Sequence, residues 1–493
     1  MTLPWADIVA IAPELIVVAA ACLVFTLDPV TPAARKSWLA WLSLGALVLC
    51  FSITVSRLDT QVMAFSGLLV IDPFASFWKL LLYVITGLTI LLSLVYLKAE
   101  RINLAEYYGF LLLSLTGMMI MVSGADLLTI YLGMELMSLS LYILAAFKRR
   151  EPRSLEASAK YFVLGAFSSG ILLYGISLLY GVAGNTRLST IAEVVSTTGF
   201  EHPGLVLATG LLVVGFGFKI AAVPFHMWIP DVYEGAPTSV TAFMAVAAKA
   251  ASFGAFLRVF LEGLGGIKAD WHILLLCMCI VTLVLGNVVA IVQTNIKRML
   301  AYSSIAHAGY ALIGVVVASH VAADLEAQAL GVASVMVYLA VYAFMTLGAF
   351  ALVAMLRKGG LEGEEIEDFT GLAKRQPVAA FLMLVFMLSL AGIPPTAGFI
   401  GKLYLFMAAV NGGLTWLAVV AVLFAAVGAY YYLRVIMVMY MRDPLVEGAA
   451  APHITPSPVT VLVLACALAG VLVFGLFPDP LVSLASHAVL PLK

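Results

Sequence analysis

Residues 215–237, GFGFKIAAVPFHMWIPDVYEGAP, decide the fold of this chain. The stretch places Lys219 inside an apolar segment and follows it five residues later with Pro224. A charged side chain at the centre of a bilayer is costly, so it usually faces a partner or a water-filled cavity and marks an ion or proton path. A proline at that depth frees a backbone carbonyl, which protein or internal water must satisfy. The stretch therefore predicts a broken membrane helix that carries a functional charge.

The composition agrees with a membrane location. The chain has 493 residues, of which 63% are hydrophobic and 11% charged, and its mean hydropathy is +1.10. Such a chain is too apolar for a soluble globular protein and long enough for many membrane helices. The formal net charge of -1 gives no basic footprint for nucleic acid. We predict an integral membrane protein whose surroundings are the lipid bilayer, with no nucleic-acid partner.

A membrane-crossing helix needs about 20 apolar residues. On that criterion the sequence predicts an all-α membrane protein with fourteen spans and one integral membrane domain over residues 1–493. The spans, numbered 1 to 14 in chain order, are residues 8–27, 36–56, 73–97, 107–123, 125–146, 154–181, 204–228, 238–262, 271–292, 298–319, 327–356, 377–407, 414–441 and 457–477.

Basic residues in the connectors predict the orientation, because Lys and Arg accumulate on the cytoplasmic side. Fifteen follow odd-numbered spans and four follow even-numbered spans or lie in the tail, so we expect both termini outside. The fifteen are Arg35, Lys36, Lys98, Arg101, Lys148, Arg149, Arg150, Arg153, Lys297, Arg298, Arg357, Lys358, Lys374, Arg375 and Arg442; the four are Arg57, Arg187, Lys268 and Lys493.

An internal repeat is visible. GFGFK ending at Lys219 in span 7 matches GFIGK ending at Lys402 in span 12, and LRV in span 8 matches LRV in span 13. Residues 126–131 likewise match residues 297–302. Five spans separate the copies, so the two units run in opposite directions, as in many transporters. We predict three N-terminal helices (1–106), two inverted five-helix repeats (107–262 and 271–441) and a last helix (457–477), with spans 7 and 12 discontinuous.

Charged residues at similar depth suggest a proton relay. Glu135, Lys219 and Lys249 fall near mid-membrane, Lys402 lies beyond the span-12 break, and Lys160 sits near the inner end of span 6. Burial disfavours a charged lysine and a nearby carboxylate favours it, so moving the carboxylate would toggle proton holding and release. The alternatives are a static Glu135–Lys219 pair that fixes helix register, and a Lys160 that extends to the lipid headgroups.

The sequence leaves it open whether two histidines are structural or relay protons. His226 either caps the end of span 7 or relays protons, and His307 lies in span 10 almost at the repeat position of Glu135. Arg258 and Arg434, near helix ends, are assigned structural roles. The sequence assigns Lys79 a structural role and does not place Glu14.

No redox or metal motif is present. The sequence has no Rossmann or Walker glycine pattern, no cysteine cluster for iron-sulfur and no histidine pair for haem. The pair Cys277 and Cys279 has no further Cys or His at ligand spacing. We expect no cofactor and no metal on this chain, and electron transfer, if coupled, to occur elsewhere.

Residues 219–243, KIAAVPFHMWIPDVYEGAPTSVTAF, resemble the antiporter-like membrane subunits of proton-pumping NADH:quinone oxidoreductase, respiratory complex I. These residues are more similar to the subunit N branch, which includes mitochondrial subunit 2, than to the paralogous subunits L and M. The same resemblance extends through SLYILAAFKRR (140–150), KYFVLGAFSSGILLYGISLLYG (160–181) and SLAGIPPTAGFIGK (389–402) to essentially the whole chain.

The resemblance implies a function. It places the family's relay carboxylate at Glu135 and its relay lysines at Lys219, Lys249 and Lys402, with Lys160 also matching. It implies NADH, flavin, iron-sulfur clusters and quinone in other subunits, and contacts with antiporter-like subunit M and small subunits K, J and A. The setting would be the bacterial inner membrane, with termini on the periplasmic side. A subunit of a multi-subunit cation/proton antiporter, or of a membrane-bound hydrogenase, remains the alternative.

Overall fold

A computed structural model describes residues 5–32, 35–102, 104–358, 361–443, 453–454 and 457–490. Lys493, counted above in the outer tail, lies outside these residues.

The fourteen predicted spans are accounted for by helices. Within the described ranges, twelve helices are long and apolar enough to cross a membrane, and three shorter apolar helices supply the rest: Ala12–Leu27 is span 1, and Pro377–Ala391 with Ala397–Asn411 is span 12. The prediction of an all-α membrane fold is confirmed. The twelve are Ser37–Val55, Pro73–Ala99, Glu106–Ser123, Leu127–Ala145, Pro152–Ala183, Pro203–Ile220, Thr238–Gly263, Gly265–Ile291, Ile296–Ser319, Leu325–Met355, Thr415–Met441 and Pro458–Leu476.

The connectors carry the remaining secondary structure, much of which the sequence did not predict. Strands Val62–Ala64 and Leu69–Ile71 form an antiparallel hairpin, and Leu356–Lys358 pairs with both Leu361–Glu362 and His453–Ile454. Backbone that is not part of a membrane helix is expected outside the hydrocarbon region, where water can satisfy its polar groups. Short helices occupy Trp5–Ala10, Leu188–Thr198, Ile229–Gly235, Leu372–Arg375 and Asp479–His487, and 3-10 turns occupy Phe65–Gly67, Gly265–Ile267 and Ile366–Phe369.

Spans 7 and 12 are broken where prolines predict it. Helix Pro203–Ile220 ends at Ala221 with φ +71°, and the chain becomes helical again only at Ile229. Helix Pro377–Ala391 ends at Gly392 with φ +87° and resumes at Ala397. A left-handed residue is a common helix terminator, and proline cannot continue the hydrogen-bond ladder. The predicted discontinuities are confirmed.

Span 8 has an irregularity that the sequence did not indicate. Two π-helical turns, Met244–Ala248 and Arg258–Gly263, flank the α-helical segment Lys249–Leu257. Such turns are uncommon and often occur at functional sites. Spans 8, 10 and 11 are buried on nearly every side, whereas spans 2, 13 and 14 are largely exposed. The distorted span therefore lies in the core of the protein.

The two predicted repeats make matching contacts. Arg258 of span 8 donates from Nε to the Val122 carbonyl at the end of span 4, over 3.2 Å. Arg434 of span 13 donates from Nη1 to the Ile291 carbonyl at the end of span 9, over 2.7 Å. Each arginine thus satisfies a helix-terminal carbonyl, as cations at helix C-termini do.

The helix starts match as well. The Asp126 side chain caps Leu127–Ala145 of span 5, and the Asn295 side chain caps Ile296–Ser319 of span 10. Asp126 forms an isolated antiparallel bridge with the connector after span 6, and Asn295 does so with the connector after span 11. These contacts pair Asp126 with Asn295, two residues before the pairing expected from the sequence alone. They favour the inverted repeat and change its register.

Candidate proton path

Lys219 lies in the last turn of the first half of span 7 and is buried, with 6% of its surface exposed. Its Nζ donates to Ser138 Oγ of span 5 over 2.6 Å. Glu135, one turn earlier on the same helix, is half-buried and accepts a hydrogen bond from Ser169 Oγ of span 6. The Glu135 carboxylate is within electrostatic range of Lys219, but the two form no direct ion pair. The contact between spans 5 and 7 at this point is therefore made through the Ser138 hydroxyl.

The break after Lys219 is internally satisfied. Trp228 Nε1 donates to the Phe218 carbonyl over 3.1 Å, and Val223 N donates to Thr282 Oγ1 over 2.9 Å. Polar backbone groups freed at membrane depth are tolerated when protein groups take them up in this way. The break is thus a stable feature that sets Lys219 at a helix C-terminus, where a cation is favoured.

Lys249 follows the first π-helical turn and is 3% exposed. Its Nζ donates to both the carbonyl and the hydroxyl of Ser304, the latter over 2.5 Å, and lies 5.6 Å from the Tyr342 ring centroid. In the described part of the chain, no carboxylate forms an ion pair with it. The oxygens that hold this lysine are neutral.

His307, in span 10, is buried. Its Nδ1 is 2.6 Å from the Tyr338 hydroxyl and its Nε2 is 3.1 Å from the Tyr432 hydroxyl. The imidazole is within electrostatic range of both Lys249 and Lys402. It is therefore close enough to respond to the charge of either lysine, and it is tied to spans 11 and 13.

Lys402 lies against the span-12 break. Its Nζ donates to the Leu390 and Ala391 carbonyls, over 3.1 and 2.7 Å, at the C-terminus of the preceding half-helix. The ammonium is also 4.9 Å from the Tyr310 ring centroid. A Cβ added at Gly392 would come within 2.8 Å of the Lys402 side chain, so glycine makes room for it. The broken helix thus provides the carbonyl oxygens that bind the Lys402 ammonium.

Lys160 has a different environment. Its side chain is 43% exposed and pairs with Asp231 at 2.7 Å and Glu156 at 2.8 Å, and Asp231 also pairs with Arg298 at 2.8 Å. Partial burial of Asp231 is outweighed by these cations, which hold the pKa of its carboxyl below its ordinary value. Lys160 therefore belongs to an ion-pair cluster at the protein surface, and His226 lies half-buried in the nearby span-7 break.

Sequence reasoning missed the neutral partners of the relay. Ser138, Ser304, Tyr338 and Tyr432 carry no charge and have no motif of their own. A weak signal exists in the helical spacing, because residues three apart share a face and this places Ser138 beside Glu135. Only the tertiary contacts identify which of the many intramembrane hydroxyls matter.

Three ion pairs of buried cations were also missed. Lys79 of span 3 pairs with Glu14 of span 1 at 2.6 Å, with both side chains more than nine-tenths buried. Arg258 pairs with Asp72 at 2.9 Å and with Glu262 at 3.0 Å. Glu14 is thereby placed, and the structural roles expected for Lys79 and Arg258 fit these contacts. Among the described residues, no group of three or more His, Cys, Asp or Glu side chains is arranged to hold a metal ion.

These features define a class. In the part of the chain that the structure describes, fourteen spans, two of them broken, and three buried lysines held by neutral oxygens in the core are features of an antiporter-like membrane protein. A family model described as "NADH:quinone oxidoreductase/Mrp antiporter, TM" matches residues 124–428. The chain belongs to this family, and within it to the group of NADH-quinone oxidoreductase N subunits.

Named relatives and solved structures agree. The chain is 48% identical to NADH-quinone oxidoreductase subunit N 2 of Rhizobium meliloti, over 99% of this chain and 98% of that protein. A chain of respiratory complex I from Thermus thermophilus with bound aureothin has a TM-score of 0.79 at 32% identity, covering 96% of this chain and 99% of its own. A chain of the Mrp complex from Dietzia has a TM-score of 0.81 at 22% identity, covering 97% and 96%. The last likeness concerns the fold alone.

Proposed function

We propose that this chain is the proton-translocating membrane subunit of an NADH:quinone oxidoreductase, with Glu135, Lys219, Lys249 and Lys402 as its relay. The chain would act as part of a translocase and hold no redox centre. NADH, flavin, iron-sulfur clusters and quinone would bind to other subunits, and quinone reduction there would drive the relay.

One contrast carries the proposal. Lys79 and Arg258 are buried and have carboxylate partners at 2.6 and 2.9 Å, as fixed charges should. Lys219, Lys249 and Lys402 are equally buried, yet hydroxyl and carbonyl oxygens hold them. A buried ammonium without a carboxylate partner is poised to lose its proton, whereas a paired one is not.

The relay follows from this arrangement. When Glu135 approaches Lys219 the lysine holds its proton, and when Glu135 withdraws the proton moves on to Lys249. His307 lies within electrostatic range of both Lys249 and Lys402, and so supports transfer between them. The position of Lys402 beyond the span-12 break makes it the outlet. Lys160, in the surface cluster, and His226 contribute to the relay on the inner side.

The surroundings complete the proposal. We place the chain in a bacterial inner membrane with both termini on the periplasmic side, beside antiporter-like subunit M and small subunits K, J and A. The domain division is three N-terminal helices, two inverted repeats and a last helix, at the boundaries given above. Matching contacts of Arg258 and Arg434 with the ends of spans 4 and 9 support the repeats.

The alternative is a subunit of a multi-subunit cation/proton antiporter, which the likeness to the Mrp complex keeps open at the level of the fold. The 48% identity to a subunit N over nearly the whole chain favours the oxidoreductase.

Purification of the native complex through an affinity tag on this chain separates the two. We expect flavin and iron-sulfur subunits to copurify, and NADH oxidation by quinone to acidify the lumen of reconstituted vesicles. A complex without flavin that exchanges sodium for protons in the absence of NADH would contradict the proposal.

A further inference from the structure

The matched contacts of the two repeats fix which residues of span 10 correspond to those of span 5. Asn295 lies as far beyond Asp126 as Ile291 lies beyond Val122, and both pairs make equivalent contacts. The same interval carries Glu135 to Ser304. Span 10 therefore has a serine where span 5 has its membrane carboxylate.

Ser138 is carried by this interval to His307. Each half of the protein thus places a hydroxyl and a titratable group one turn apart on the same helix, but in opposite order along the chain. In the first half the hydroxyl of Ser138 holds Lys219 over 2.6 Å, and in the second half the hydroxyl of Ser304 holds Lys249 over 2.5 Å.

From this geometry we propose that Ser304 is the positioning residue of the second half, replacing the carboxylate of the first half by a group that holds Lys249 in both of its protonation states. The inference rests on the lysine relay proposed above.

The chemistry of the hydroxyl supports this role. A serine hydroxyl accepts a hydrogen bond from an ammonium and donates one to a neutral amine, whereas an ionised carboxylate can only accept. Ser304 is fully buried, and its carbonyl is a second acceptor for the ammonium. The hydroxyls of Tyr233 and Tyr342 lie beside Ser304. The Ser304 hydroxyl proton can therefore turn from Lys249 to a tyrosine oxygen and back without the help of a water molecule. Lys249 can therefore release a proton without moving, and the first half alone needs a moving carboxylate.

Three substitutions in the purified complex, reconstituted into vesicles, test the role. Ser304→Ala keeps the carbonyl acceptor and removes the donor to the neutral amine, so we expect proton pumping to fall about tenfold, equivalent to about 1.4 kcal/mol in the barrier. Ser304→Thr keeps the hydroxyl and should restore pumping to within about twofold of wild type, since twofold is well under 1 kcal/mol. Ser304→Asp should trap the proton on Lys249 and pump less than Ser304→Ala.

A matched control and a parallel variant make the outcome decisive. Ser334→Ala removes another fully buried serine hydroxyl, one that donates to the Gly331 carbonyl of its own helix, and should pump like wild type. Normal pumping by Ser304→Ala, or loss of pumping in Ser304→Thr equal to that in Ser304→Ala, would overturn the inference. Lys249→Ala, measured alongside, separates the two levels. If Lys249→Ala also pumps normally, the relay itself is wrong; if only Ser304→Ala does, the relay stands and the role of Ser304 falls.

Discussion

At the scale of single residues, the intramembrane cations divide by the partner that each one has. A buried ion pair that keeps its partner stays charged, and removing one partner leaves an uncompensated charge. Lys79 has such a partner in Glu14, and within the described ranges Lys219, Lys249 and Lys402 do not. Sequence identified every one of these cations but not the division, because the partners of Lys79, Lys219 and Lys249 lie on other spans and those of Lys402 lie across the span-12 break.

The division predicts different outcomes for two kinds of lysine. Lys79→Met leaves Glu14 charged and unpaired in the membrane, so the protein should lose about 3–5 kcal/mol of stability. The complex that does assemble should keep its proton-to-electron ratio. Thermal unfolding of the detergent-purified complex measures the first effect and vesicle acidification the second.

A double substitution provides the control. Glu14→Gln with Lys79→Met removes both charges and should recover most of the lost stability. A double variant that is no more stable than Lys79→Met alone, or a lowered proton-to-electron ratio in either variant, would contradict a structural role for this pair.

At the scale of elements, the breaks were predictable and the distortion of span 8 was not. Pro224 and the residues Pro394 and Pro395 lack backbone donors, so the sequence alone indicates where spans 7 and 12 are interrupted. The π-helical turn before Lys249 has no such signal, since MAVAA is an ordinary apolar run. Its conformation depends on packing against neighbouring helices. Helix Leu188–Thr198 was not predicted either, because it is too short for the span criterion of about 20 apolar residues to detect.

The span-12 break gives a test that separates backbone strain from a contact with the relay. Gly392 and Gly413 both have positive φ, of +87° and +77°. A Cβ at Gly392 would lie 2.8 Å from Lys402 Cδ, whereas a Cβ at Gly413 meets nothing within 4 Å. Alanine at either position should cost about 1–3 kcal/mol of stability through its backbone. We expect only Gly392→Ala to lower the pumping rate as well, because only there is the relay lysine displaced.

Pumping assays on the two alanine variants, normalised to assembled complex, decide this point. Equal pumping by Gly392→Ala and Gly413→Ala would mean that the break does not position Lys402 for proton transfer.

At the scale of the whole molecule, charged connectors tie the end of span 3 to the ends of spans 5 and 11. Lys148, after span 5, pairs with Glu100 after span 3 at 2.9 Å and lies 3.6 Å from Glu362 after span 11. Burial of Glu100 is outweighed by Lys148 and Arg357, which hold the pKa of its carboxyl below its ordinary value. This network links connectors that are far apart in the sequence, as the predicted single membrane domain requires.

The orientation of the molecule is still a prediction from loop charge. The fifteen-to-four excess of basic residues after odd-numbered spans predicts that both termini face outside. A reporter that is active only in the periplasm should be active when fused after Lys493, and a reporter that is active only in the cytoplasm should be silent there. The reverse pattern would rule out the orientation, and with it the assignment of Lys402 to the outlet side.

The central claim is that buried lysines without a carboxylate partner carry the protons, and Lys219→Ala in the assembled complex tests it most directly. The measurement is the rate of proton pumping and the number of protons moved per electron, from vesicle acidification and NADH oxidation recorded together, with flavin content confirming assembly. Removing a positioned proton carrier should slow pumping roughly 100-fold, and with tight coupling slow quinone reduction too, while Glu135→Gln has a milder effect. Lys374→Ala, which removes an exposed cation paired with Asp443, is the control and should behave as wild type. Lys219→Ala complexes that assemble normally and pump at the wild-type proton-to-electron ratio and rate would contradict the account.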